Sequence, residues 1–167
     1  MKRICAVLLS VLLFSFLAVA QAPKPLLKID GKINAPITIT AEDWAKLPRA
    51  TVAAHRGHSK ETFQFEGVLL KTLLVKAGVL DPEKELKGKS LLQYVVIKAN
   101  DGYQAVFTLA ELDEGTGATN GVLLADKADG KPLEAREAPL QLIVPTDKRP
   151  ARAARMVTGI TIGTIAE

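Results

Sequence analysis

From Leu26 onward the sequence is cut into short β-prone runs by turn signals, and one stretch alone keeps a sustained helical period. A pattern of that kind cannot build a helical bundle, and it lacks the regular strand–helix alternation of a doubly wound parallel sheet. Leu26 to Ile33, with a Gly31 turn, reads as a strand or hairpin leading to a second strand at Ile37 to Thr40. Thr40 is placed to N-cap a two-turn helix with Glu42 and Asp43 near its positive end, and Pro48 stops it. Thr51 to His55 and Glu61 to Glu66 alternate as strands. From Gly67 the helical stripe Val68, Leu69, Leu70, Leu73, Leu74 and Ala77 predicts the best helix, closed by Gly78. Leu92 to Ala99 and Tyr103 to Phe107 are strands joined at the tight-turn pair Asp101-Gly102. Thr108 and Glu111 spell a capping box, and Val122 to Ala125, Leu140 to Val144 and Met156 to Ile165 supply the last strands. The expectation is an α+β fold with mixed sheets.

Residues 4–20, an apolar run after Lys2 and Arg3 that ends in small residues, have the layout of a secretory signal peptide. The run is short for a membrane span. Cleavage after Ala20 leaves a mature chain starting at Gln21, divided into a lead-in at 21–32 and one domain at 33–167. A periplasmic or secreted location follows, with no membrane span once the signal is gone. Cys5, the only cysteine, leaves with the signal, so the mature chain has no disulfide, no thiolate metal site and no cysteine nucleophile. Losing Lys2 and Arg3 also lowers the net charge from +4 to +2, too little to argue for a nucleic-acid partner.

His55 and His58, the only histidines, stand three apart in a polar loop. Two imidazoles can begin a metal site, but a stable one needs a third or fourth ligand that spacing does not supply. Ser59 and Ser90 lie in no Gly-x-Ser-x-Gly setting, and no phosphate-binding glycine loop occurs. The richest polar cluster is Asp147, Lys148, Arg149, Arg152 and Arg155. Guanidinium groups hold oxyanions bidentately, which makes this loop a candidate anion site against the plainer reading of a solvated surface loop.

Read in order, FEGVLLKTLLVKAGV at 65–79, KANDGYQAVFTLAEL at 98–112, LLADKADGKPL at 123–133 and APLQLIVPTDKRPAR at 138–152 resemble the molybdopterin-binding domain of the sulfite oxidase family. The resemblance implies the sulfite-oxidase-type fold, with mixed, partly barrel-like sheets and a few short helices. It also implies a cofactor pocket lined by two loops. Catalytic members hold molybdenum through a cysteine thiolate in the loop after the strand written here TVAAH, where this chain has His55-Arg56-Gly57-His58. Arg155-Met156 stands where the family's pterin-anchoring stretch carries a Lys-Trp pair. Lys2-Arg3 is not a twin arginine, so the signal points to unfolded export, and because the resembled enzymes acquire their cofactor in the cytoplasm that route would deliver an empty protein.

The resulting expectation is an exported, molybdopterin-binding-domain-like protein without molybdenum catalysis and with no cofactor; whether it is an enzyme is left open, and if it is one, it is a molybdopterin-dependent oxidoreductase. It would bind a small oxyanion or small molecule, or serve an exported protein partner. His55, Arg56, His58, Lys148, Arg149, Arg152 and Arg155 are expected to face one cleft. The alternatives are a molybdopterin-dependent oxidoreductase that holds pterin through its basic residues with His55 in place of the thiolate, and a metal-binding protein using His55 and His58.

Overall fold

A computed structural model describes residues 24–56, 59, 61–116 and 121–165. The signal segment 1–20 and His58 lie outside the described residues. Two five-stranded sheets make up the architecture. The first runs, in spatial order, β2 (Ile37–Thr40), β1 (Pro25–Gly31), β10 (Val157–Thr164), β5 (Gln93–Ala99) and β6 (Gln104–Thr108). The β1–β10 pair is parallel and its neighbours are antiparallel. In the second, β3 (Ala50–His55), β4 (Thr62–Leu69), β7 (Leu123–Ala128) and β8 (Lys131–Pro132) follow one another, and β9 (Gln141–Ile143) also pairs with β7. Three short α-helices, α1 (Ala41–Ala45), α2 (Leu70–Lys76) and α3 (Leu109–Leu112), and two 3-10 turns at Gly88–Leu92 and Pro150–Arg152 complete the described elements.

Alternation builds the main core from the first sheet. Leu27 and Ile29 on β1, Val95 and Ile97 on β5, Phe107 on β6 and Ile160 and Ile162 on β10 are buried on one face, where Leu70, Leu73 and Leu74 of α2 join them. Each such side chain contributes on the order of 1.5–3 kcal/mol relative to exposure. Residues 25–31 of the stretch read as a lead-in are therefore a strand of this core.

The second sheet is buried on both faces. Val68, Leu124 and Leu142 join the main core, while Phe65, Leu123, Ala125 and Ile143 pack with Val52, Ala54 and Phe63 in a second cluster. That two-sided burial accounts for apolar residues at consecutive positions, Leu142 to Val144, where a half-buried strand would alternate.

The helix expected from Gly67 begins three residues later. Gly67 lies in β4, beside a register shift, and a Cβ there would stand 1.9 Å from the Leu124 carbonyl oxygen, so only glycine permits this approach of β4 to β7. Val68 and Leu70 are two residues apart, so strand alternation sends both into the core that α2 then continues. The other local signals hold. Thr40 and Asp43 form a reciprocal capping box on α1, as Thr108 and Glu111 do on α3. Gly102 turns the β5–β6 hairpin at φ +87°, with the Tyr103 amide donating to Asp101 Oδ1 at 2.9 Å.

Candidate functional site

The C-terminal end of β3, the start of β4, β9 and the segment after it enclose a cleft of about 330 Å³. Its floor is Gln141 and Ile143, which alternation places on the same face of β9; His55 and Thr62 stand on one side, and Asp147, Lys148 and Arg149 on the other. The loop after β9 is tied down by its own backbone, since Leu142 N–H donates to Ala154 O at 2.8 Å and Asp147 N–H to Val144 O at 3.2 Å.

His55, Lys148 and Arg149 line this cleft together, and all three are exposed. His55 Nδ1 lies 3.2 Å from the Glu61 carbonyl oxygen, which can only accept, so Nδ1 carries a proton and Nε2 is left for a ligand. Lys148 and Arg149 make no ion pair among the described residues.

The remaining candidates are placed differently. Arg56 is turned away from the cleft onto Glu137, which is fully buried. Its Nε and Nη2 donate to the two carboxylate oxygens at 3.1 and 2.5 Å, Nη1 reaches Glu134 at 3.2 Å, and the guanidinium lies 5.4 Å from the Phe63 ring centroid. Arg152 is also consumed internally. It grips Asp147 through two hydrogen bonds of 2.9 and 2.7 Å, donates to Glu111 at 2.5 Å, and lies 4.4 Å from the centre of the Phe107 ring. The Asp147 carboxylate foremost, opposed by burial and helped by Glu111, raises its already high pKa further. Arg155 is exposed in a neighbouring cavity of about 320 Å³ with Asp101 and Tyr103. The expectation that all these cations face one cleft therefore fails for Arg56, Arg152 and Arg155. Arg56 is neutralised by Glu137, distant in sequence, Arg152 chiefly by Asp147 five residues before it and also by Glu111, and Arg155 lies beyond the 150–153 turn.

The sequence reading passed over Gln141. This side chain is 2% exposed, sits in the wall shared by both cavities, and its buried Oε1 accepts no hydrogen bond among the described residues. Its signal was a single polar residue inside the apolar run 140–144, where both sheet faces are covered.

The donor set decides which part of a molybdopterin cofactor the cleft could accommodate. A basic lip and an imidazole with Nε2 left to accept suit an anionic organic molecule with N–H groups. The protein ligand that the resemblance assigns to molybdenum, a cysteine thiolate, is not among the described residues at this cleft. Cys5, the only cysteine, lies outside the described residues, and among those residues no group of three His, Cys, Asp or Glu side chains could hold a metal ion. The pair His55 and His58 is half outside the described residues.

A family model for the oxidoreductase molybdopterin binding domain matches residues 18–165. Among solved structures, the sulfane dehydrogenase SoxCD from Paracoccus pantotrophus aligns with a TM-score of 0.63 at 20% identity, over 83% of this chain and 38% of that one. No curated protein matches. At that identity the structural likeness shows the fold alone, and the fold agrees with the mixed sheets and short helices described above. With the family match spanning nearly the whole chain, the protein belongs to the molybdopterin-binding-domain family of sulfite oxidase type.

Proposed function

We propose that this protein is an exported ligand-binding or accessory module that uses the family's cleft for a small anion without molybdenum catalysis. The observation that carries the reading is the cleft itself: Lys148 and Arg149 stand unpaired among the described residues at its lip, opposite His55, with no thiolate beside them. A small oxyanion or the phosphate of a pterin would receive charged hydrogen bonds there, each contributing about 1.5–3 kcal/mol.

Calorimetric titration of the purified protein with sulfate, phosphate and a pterin phosphate tests this. Wild type binds at least one of them, with affinity that falls as salt rises. Replacing Lys148 and Arg149 by Ala weakens binding at least tenfold and leaves the melting temperature unchanged. No binding by wild type, or equal affinity in the double variant, overturns the proposal. Elemental analysis of protein from its native host yields far less than one molybdenum per chain. A stoichiometric content with pterin fluorescence would replace this reading by that of a molybdopterin-dependent oxidoreductase.

A further inference from the structure

Resting on the anion-binding reading above, we infer that Arg152 sets how tightly the cleft holds an anion without touching that anion: it keeps Asp147, a carboxylate built into the cleft, from occupying the cleft's own cations. Three observations carry this. Asp147 lines the cleft together with Lys148 and Arg149, the next two residues of the chain, so an acid stands within the anion site itself, whereas Arg152 does not line it. Arg152 holds both oxygens of that acid, Nε donating to Oδ2 at 2.9 Å and Nη2 to Oδ1 at 2.7 Å. Finally, Arg152 is itself fixed from the far side, since Nη1 donates to Glu111 of α3 and the guanidinium lies over the ring of Phe107, a buried residue of β6 in the first sheet.

A carboxylate beside two unpaired cations is the nearest competitor of any anion they could bind. The two-point grip of Arg152, braced by Glu111 and Phe107, is pre-organised, so Asp147 stays turned to it while Lys148 and Arg149 keep their charge for a ligand. Without that guanidinium, Asp147 pairs with the cations next to it in the loop or presents a bare negative charge to the incoming anion. Either outcome lowers affinity. The Asp147 side chain is 20% exposed, so water screens its charge only in part. Arg152 is thus a positioning residue for the site, acting through Asp147.

Sulfate, phosphate and a pterin phosphate, titrated calorimetrically into wild type, Arg152→Met, Asp147→Asn and the double variant, test this. Met keeps an apolar stem against Phe107 and drops the charged donors. Arg152→Met is expected to bind the anion about tenfold or more weakly, the loss of one charged hydrogen bond at the lip. Asp147→Asn and the double variant should both keep at least about half the wild-type affinity, because neither has a carboxylate to release. If Arg152 were only a mechanical grip on the loop, Asp147→Asn and the double variant would lose as much affinity as Arg152→Met. If its charge acted only through the overall field, Arg152→Met would weaken binding by the same factor whether Asp or Asn stands at 147. Either result overturns the inference while leaving the cleft an anion site, as does wild-type affinity in Arg152→Met. Should Arg152→Met fail to fold, Asp147→Asn decides alone: retained affinity supports the inference and a tenfold loss overturns it. Binding of none of the three anions by wild type overturns the underlying reading instead.

Discussion

Removing the Arg56 guanidinium should unfold this protein more effectively than removing any cation at the lip of the cleft. Glu137 is fully buried, and Arg56 supplies the charged donors to both of its carboxylate oxygens. Arg56→Ala leaves that carboxylate to be buried unpaired or to take up a proton, and breaking such a pair from one side costs about 3–5 kcal/mol. Contact with the Phe63 ring is lost as well. At roughly 3–4 °C per kcal/mol for a domain of this size, the melting temperature falls by about 10–20 °C. Replacing both partners, Arg56→Met with Glu137→Leu, removes the charges together and should recover most of the loss, because the carboxylate's desolvation cost disappears with the carboxylate. Thermal melts by circular dichroism of the two single variants and the double variant provide the comparison. If Arg56→Ala melts within about 2 °C of wild type, or if the double variant is no better than the single one, the pair does not hold the β3 end in place and the reasoning is wrong.

Two further outcomes follow from other parts of the fold. Gly67→Ala forces a Cβ to within 1.9 Å of the Leu124 carbonyl oxygen and should cost about 3 kcal/mol or more in urea denaturation, whereas Gly102→Val, in open space at φ +87°, should cost about 1–3 kcal/mol from backbone strain alone; a Gly67→Ala protein as stable as wild type would contradict the close approach of β4 to β7. Burial pushes the Asp126 pKa up, but hydrogen bonds from Arg49 and from the Trp44 indole outweigh it and hold the carboxyl below its ordinary value. A depressed folded-state pKa stabilises above the unfolded value and loses that contribution as pH falls through the folded one, so Asp126→Asn should destabilise at neutral pH, with the gap to wild type closing below about pH 4; a gap that is constant with pH would refute the assignment.

What could be read from the sequence depended on how far apart cause and effect lie along the chain. Thr40 with Asp43, Thr108 with Glu111, and Asp101-Gly102 act within four residues, and each forms the cap or turn its spelling implied. The Gly67 start failed because two periods overlap here: Val68 and Leu70 are buried two apart, as in a strand, while Leu70, Leu73 and Leu74 are buried at helical spacing. At the site, cations were grouped by adjacency in sequence, which says nothing about carboxylates arriving from elsewhere. Glu137 lies 81 residues from Arg56, and Glu111 lies 41 from Arg152. These pairings turn apparent ligand donors into internal struts. Gln141 shows the converse: a residue unremarked in its own segment gains its interest only when the second sheet covers both of its faces.

The position of β10 between β1 and β5 bears on the order in which the molecule can assemble. The first described strand pairs in parallel with the last, and the Thr161 hydroxyl donates to an Asp30 carboxylate oxygen at 2.6 Å across 131 residues of chain. During synthesis, β1 and β5 must each present an unfilled backbone edge until the final segment emerges, because their shared neighbour has not yet been made. Loop closure over such a span is slow relative to local hairpins. A chain cut before β10 should therefore stay open and protease-sensitive however long it is given, and closure of the first sheet becomes an event that waits for residues 157–164.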